Sequence, residues 1–201
     1  MNAKNQPRLT TAIGVIHGDI KPANILVQSG DDPNNVQIKV ADFGFSSLES
    51  ASDGDVMVAR SPPWEAPEWH ARSFSLEKAK AMDMYSLGLL CLWILFRDQA
   101  ITELNGQDIS LEDALFSSDD ATKAKLHVLK RAGNSLLPSA LRLVRESADV
   151  VDSDRPRLER LFTLTLCLDP NLRARSISEL IILLLREPEV PSRSVKANCV
   201  T

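Results

Sequence analysis

The sequence predicts an α+β fold that is mostly α-helical, with a small β-hairpin beside the candidate active site. Three observations predict it. From residue 76 onward, helical apolar patterning and helix-capping residues recur almost throughout. Ahead of them lie an apolar run, Ile25–Val27, and an alternating run, Val36, Ile38 and Val40, separated by the turn-forming stretch SGDDPNN. No internal repeat or linker divides the 201 residues, so one domain spanning 1–201 is expected.

Each element has a local reason. Ile13–Ile16 is a short apolar run that leads into the polar loop HGDIKPAN, residues 17–24. The period-two pattern of Val36–Val40 is that of a half-buried strand, and it pairs with Ile25–Val27 across a long turn. After Ala41 no periodic pattern survives through Ser61-Pro62-Pro63. Leu76–Phe96 begins polar and ends apolar on every face, the pattern of a central buried helix. Asp119-Asp120 and Lys130-Arg131 match the two ends of a helix macrodipole, with Gly133 beyond as a stop. Asp154 with Pro156 reads as a helix start, and Asp169-Pro170 as the end of that helix. Ser176 and Glu179 have capping-box spacing ahead of LIILLL. A bundle of about six helices over residues 76–186 follows.

Composition excludes several classes. With 44% apolar and 25% charged residues the chain can bury a core, and 8 Gly and 11 Pro exclude a collagenous or low-complexity chain. A net charge of -4 without a Lys/Arg stripe offers nothing to nucleic acid. Cys91 and Cys167 lie in apolar runs and read as buried thiols; with Cys199 they number three, too few for a disulfide framework. The N-terminal MNAKNQPRLT has no apolar signal core, so an intracellular location, cytoplasmic or nuclear, is expected. Met84–Phe96 is shorter than the roughly 20 residues a bilayer demands, and no membrane partner is expected.

Chemistry concentrates in residues 17–24. His17, Asp19, Lys21 and Asn24 put a carboxylate, an ammonium and a carboxamide within a short loop that Pro22 stiffens. Asp42-Phe43-Gly44 ends the alternating strand, and a hairpin would return it close to Asn24. A carboxylate and a carboxamide oxygen converging there suit Mg²⁺, which takes hard oxygen ligands and keeps waters and phosphates. His70 and His127 read as surface histidines, and Trp64, Trp69 and Trp93 as packing residues.

Residues 17–24 resemble the catalytic loop of the eukaryotic protein kinases, and Asp42-Phe43-Gly44 resembles their magnesium motif. In the family's order, Ala66-Pro67-Glu68 resembles the end of an activation segment spanning 42–68. Asp83-Met84-Tyr85-Ser86-Leu87-Gly88 resembles the start of the central helix, and Asp169-Pro170-Asn171-Leu172-Arg173 a late arginine motif. The resemblance implies the large C-terminal lobe of a serine/threonine kinase that transfers a phosphoryl group from ATP, with Mg²⁺, to a protein substrate. It implies Asp19 as base, Lys21 on the moving phosphoryl group, Asn24 and Asp42 on the metals, and Leu26 under the adenine. Ser61 would contact the catalytic aspartate. His17, Phe43, Gly44, Asp83 and the pair Glu68–Arg173 would be structural support.

The chain also departs from the pattern. No G-x-G-x-x-G occurs, and only sixteen residues precede His17, so the small N-terminal lobe is expected to be absent, leaving a face open to a partner. Gly18 stands where the family commonly has arginine, which implies no switching by phosphorylation at Ser46, Ser47, Ser50 or Ser52. Residues 97–153 are expected to add helix beyond the minimal pattern. Two rivals share the loop: a small-molecule phosphotransferase similar to the aminoglycoside and choline kinases, and an inactive pseudokinase-like binding module. Lys21, Ala66-Pro67-Glu68 and Arg173 favour a protein substrate.

Overall fold

A computed structural model describes residues 14–29, 36–48, 54–104, 107–131 and 136–185. Gly133, Cys199, Ser50, Ser52 and the centre of the SGDDPNN turn lie outside the described residues. Four antiparallel two-stranded ladders are present: β1 Val15–Ile16 with β4 Ser47–Leu48, β2 Ile25–Ser29 with β3 Val36–Val40, β5 Val56–Met57 with β6 Ser73–Phe74, and β7 Ala100–Leu104 with β8 Gln107–Ser110. The helices are α1 Leu76–Phe96, α2 Leu111–Phe116, α3 Asp120–Arg131, α4 Leu136–Glu146, α5 Arg155–Leu166 and α6 Ile177–Leu185. Single 3-10 turns occur at Pro22–Asn24 and Pro170–Leu172.

The core is built around α1. Its 21 residues contain no proline and one β-branched residue, Ile94, so little rotamer entropy opposes the helix. Ala79, Met82, Tyr85, Leu89, Leu92 and Phe96 recur at helical spacing and are buried. Phe96 packs on Phe162 of α5 at 6.2 Å between ring centroids. By length and composition α1 could cross a membrane, more than the Met84–Phe96 run alone suggested; two thirds of its apolar window is buried in the fold, so here it is a core helix.

Caps set the remaining boundaries. Ser110 Oγ accepts the Asp113 N–H at 3.0 Å, and Asp119 Oδ2 accepts the Thr122 N–H at 2.8 Å. Ser176 Oγ accepts the Glu179 N–H at 3.1 Å, while Glu179 reaches back to the Arg175 N–H at 2.6 Å, one residue earlier than the capping box requires. Asp154 precedes α5 as expected but makes no side-chain cap.

Two expectations are corrected. The hairpin forms with Val27 opposite Ile38, yet β3 is exposed along its whole length, with Ile38 at 68%. Alternation marks a half-buried strand only when something packs on one face, and no described element does. Residues 97–153 are not all helix: β7 and β8 form a second hairpin. Its signal was Asn105-Gly106 between two short runs, the dipeptide that two-residue hairpin turns favour.

The approach of α1 to α5 depends on Gly88. A Cβ there would stand 2.3 Å from Thr165 Oγ1 and 2.6 Å from Thr165 Cβ. An exposed helical Gly→Ala change stabilises by roughly 1 kcal/mol, whereas overpacking costs about 1–3 kcal/mol. Gly88→Ala is therefore expected to lower the urea midpoint, and adding Thr165→Ala to restore only part of it, because the hydroxyl leaves but the Cβ contact stays. A Gly88→Ala protein as stable as the wild type would show that the helices can separate without cost.

Candidate active site

The loop 17–24 is registered on α1 by one carboxylate. Asp83 is buried in the first half of the helix; it accepts the His17 N–H at 2.6 Å and the Gly18 N–H at 2.9 Å. Burial pushes its pKa up to about 6, against the lowering effect of those two backbone bonds. With its backbone so held, the His17 ring bridges two segments. Its Nε2 lies 2.9 Å from the Ala41 carbonyl, which can only accept, so Nε2 carries the proton. Nδ1 then accepts the Asp19 N–H at 3.3 Å. This network assigns the neutral Nε2–H tautomer.

Asp19 is buried and its carboxylate is surrounded by donors. Ser61 Oγ donates to Oδ1 at 2.5 Å, and Lys21 Nζ donates to Oδ2 at 2.7 Å and to Ser61 Oγ at 3.1 Å. Asn24 Nδ2 donates to the Asp19 carbonyl at 2.8 Å and reaches Oδ2 at 3.3 Å. Lys21 precedes the 3-10 turn with extended backbone, and Pro22 opens that turn, so Asn24 folds back beneath Asp19.

Across the open end of the β2–β3 hairpin, the Ala41 N–H donates to the Asn24 carbonyl at 2.8 Å, which brings Asp42 beside Asn24. Asp42 has a φ of 62°, a left-handed conformation that aspartate tolerates better than most residues, and its side chain is exposed. Its Oδ1 lies 3.3 Å from the Gly44 nitrogen, which donates. Phe43 packs on the His17 ring at 5.0 Å between centroids. Leu26 is exposed on β2 and joins none of these contacts. Both flanks of the segment beyond Gly44 are tied to the loop: β4 pairs with β1, and the Ala59 N–H donates to the Gly18 carbonyl at 2.9 Å. Gly18 has a φ of +76°, and a Cβ there would stand 3.0 Å from the Phe45 carbonyl oxygen. Any side chain at this position is disfavoured by both space and backbone.

Glu68 and Arg173 meet away from Asp19. Arg173 Nη1 and Nη2 donate to the two Glu68 oxygens at 2.5 and 3.0 Å, a bidentate pair. The other guanidinium protons go to the carbonyls of Cys167, Ala81 and Leu168. The guanidinium also stacks 4.8 Å from the centre of the Tyr85 ring. On the same ring, Lys130 Nζ stands 5.8 Å from the centroid. Lys130 stands in the last turn of α3, as the macrodipole pattern expects, but it is also buried, and its ammonium donates to the carbonyls of Pro63, at 2.7 Å, and Glu65. Burial lowers its pKa to about 8. The available signal was its position four residues after the buried Leu126, on the same helix face.

The donor set fits the groups the motifs imply. Asn24 has its amide nitrogen engaged and Asp42 carries an exposed carboxylate, so both leave oxygen for a hard cation. Among the described residues no cluster of three or more His, Cys, Asp or Glu side chains could hold a metal. A cation at these two oxygens would complete its shell with water and phosphate, which is the habit of Mg²⁺.

The Asp83 shift carries a signed prediction. A carboxyl whose folded pKa is about 6 against an ordinary 3.8 favours the folded state most below pH 3.8, and that contribution is lost as pH rises through 6. It amounts to about 3 kcal/mol. Asp83→Asn has no such titration. The wild-type stability margin over Asp83→Asn should therefore be widest near pH 4 and narrow as pH rises to 7. Urea unfolding of both proteins across that range measures it, and a constant margin would exclude a raised Asp83 pKa.

The chain is 29% identical over 196 residues, 90% of its length and 27% of the relative's, to the Probable LRR receptor-like serine/threonine-protein kinase RKF3 of Arabidopsis thaliana. It is 28% identical over 163 residues, 77% of its length and 20% of the relative's, to the Probable leucine-rich repeat receptor-like protein kinase IMK3 of the same organism. It is 31% identical over 108 residues, 52% of its length and 10% of the relative's, to the human Serine/threonine-protein kinase ULK1. The chain thus spans roughly a quarter or less of these relatives. A family model described as Protein kinase domain matches residues 11–180, and the chain belongs to that family.

Proposed function

We propose that residues 1–201 belong to the large, C-terminal lobe of a serine/threonine protein kinase domain that transfers the γ-phosphoryl group of ATP to a protein hydroxyl, inside the cell. In this reading the catalytic loop is 17–24, the magnesium motif 42–44, the activation segment 42–68 and the helical bundle 76–186. The observation that carries it is the carboxylate of Asp19, held by Lys21, Ser61 and Asn24, with the residue before Asp42 bonded to the Asn24 carbonyl. Asn24 and Asp42 would hold Mg²⁺, which, when bound, neutralises phosphate charge.

The chain's own residues do the rest. Asp19 Oδ1 accepts one bond from Ser61 and keeps a lone pair for the substrate hydroxyl. As that oxygen bonds to the γ-phosphorus and the bond to the β-phosphate oxygen breaks, the proton passes to Asp19. Lys21, 2.7 Å from Asp19, supplies positive charge where the phosphoryl group moves. Ser61 fixes the carboxylate and stands where the substrate hydroxyl arrives. His17, Phe43, Gly44, Asp83, Glu68 and Arg173 hold the loop and segment in place. Leu26 and Phe43 are exposed beside the site, as are Val27 and Ile38, which pair on the other face of the hairpin from Leu26. A covering layer carrying the glycine-rich loop would place adenine over Leu26 and phosphates over Asp42.

Phosphotransfer tests this directly. In the natural polypeptide that carries these residues, Asp19→Asn is expected to lower transfer from ATP to protein serine by at least about 10²-fold, with an unchanged unfolding midpoint. Equal activity in the variant, or transfer to choline or an aminoglycoside in place of protein, would overturn the reading. The 201 residues alone should show no Asp19-dependent transfer, because they hold one wall of the nucleotide cleft and proximity accounts for much of the rate.

Gly18 generates a second expectation. It offers no guanidinium to a phosphate, and the backbone around it leaves no room for one. Ser46 already donates to the Phe43 carbonyl at 2.7 Å and Ser47 lies in β4. Replacing Ser46, Ser47, Ser50 and Ser52 together by alanine is expected to leave activity within about twofold, against the 10²-fold scale of a lost catalytic group. Loss of most activity with folding intact would show that one of these serines is a switch.

A further inference from the structure

A cavity of about 410 Å³ opens between the segment Arg60–Glu65 and helices α2 and α3. Its lining carries three basic side chains, Arg60, Lys123 and Lys130, against one carboxylate, Glu65, in a chain whose net charge is -4. We propose that this cavity binds an anionic side chain of the protein substrate, a carboxylate or a phosphate, one to three residues from the hydroxyl that is phosphorylated. The proposal rests on the reading of Asp19 and Ser61 given above and names the substrate class for that site.

The cations differ in how far they are committed. Lys130 is the built part: its buried ammonium ties α3 to the Pro63 and Glu65 carbonyls and stands 3.9 Å from Glu65 Oε1, while Glu65 Oε2 is buried with no hydrogen-bond partner among the described residues. Arg60 lies 5.4 Å over the Trp69 ring, and no ion pair to a described carboxylate occupies its guanidinium. Lys123 donates to the Ser118 carbonyl at 3.0 Å and meets the fully exposed Asp120 at 3.3 Å, and such surface pairs are worth little. Partial burial, then the nearby charges of Arg131 and Lys130, hold His127 below the ordinary histidine range, which marks the positive potential of this wall.

Position links the cavity to the reaction. Arg60 and Pro62 flank Ser61, whose hydroxyl is 2.5 Å from Asp19. Two residues of chain span at most about 7 Å, so the cavity mouth lies within a few extended residues of the phosphoacceptor. The volume is that of a site for a side chain with its neighbouring backbone, within the roughly 300–1,000 Å³ of ligand pockets.

Fluorescence anisotropy with labelled nonapeptides tests the proposal. All share a central serine in an alanine–glycine background; the flanking positions carry alanine, aspartate, phosphoserine or lysine. The aspartate and phosphoserine peptides should bind at least about tenfold tighter than the alanine peptide, and the advantage should shrink between 50 and 200 mM salt. The tighter of the two tells carboxylate from phosphate as the natural source. In the double variant Arg60→Glu, Lys123→Glu, with an unchanged unfolding midpoint, the preference should vanish or pass to the lysine peptide. Equal affinities, no binding by any peptide, or an unaltered preference in the double variant would overturn the anion site. Phosphotransfer that does not need Asp19 would overturn the parent reading and leave this preference measurable. Lost preference with Asp19-dependent transfer intact would overturn the anion site alone.

Discussion

Asp83 sits in the first half of the core helix with its carboxylate almost out of reach of water, and both its oxygens are spent on the N–H groups of His17 and Gly18. Burying a charge there is costly, and its pKa of about 6 shows that two backbone bonds offset only part of the cost. What the molecule gains is register. Once two consecutive amides of the loop are fixed to α1, the His17 ring can bridge the Ala41 carbonyl and the Asp19 amide, and Asp19 is presented to Lys21, Ser61 and Asn24. The rigid helix carries the loop, so the site inherits the helix's precision.

A second network fixes the segment that passes over the site. Arg173 uses all five of its guanidinium donors, two on Glu68 and three on main-chain carbonyls, so its buried charge is fully hydrogen-bonded. Arg173 and Lys130 both approach the Tyr85 ring, and each cation also grips the segment: Arg173 through Glu68, Lys130 through the carbonyls of Pro63 and Glu65. Removing either cation would leave buried acceptors without donors, the situation that costs most in a protein interior. The segment is thereby tied to two separated parts of the chain, which lets Ser61 hold its place on Asp19.

Much of this was legible beforehand. The hairpin, the core helix, the order of the helices and the grouping of His17, Asp19, Lys21 and Asn24 could be read because each depends on short-range spacing, whereas Ser61 beside Asp19 and the pair Glu68–Arg173 were implied only by the resemblance. Asp83 stood out as a carboxylate inside an apolar helix, which needs donors wherever it is buried. Other features had no local signal, or one that pointed elsewhere. Lys130 has the sequence position of a helix-end charge, and only the arrival of residues 63–65 makes it a buried clamp. The alternation of β3 implied a covered face, but covering depends on another element being there. The β7–β8 hairpin did have a signal in Asn105-Gly106, which the surrounding helical periodicity outweighed.

By itself, the sequence determined which chemical groups are available and in what order: Asp19, Lys21, Asn24 and Asp42 at spacings that a loop and a hairpin can close, and an apolar helix to carry them. Those are properties of neighbours along the chain, governed by backbone geometry and hydrophobic period. The tertiary structure decided which groups are out of water and which partners they find across long separations: Ser61 on Asp19, Arg173 on Glu68, Lys130 under Pro63, and the backbone that crowds Gly18. Burial and long-range pairing depend on how elements pack, and the same lysine or glycine serves opposite ends once its surroundings are set.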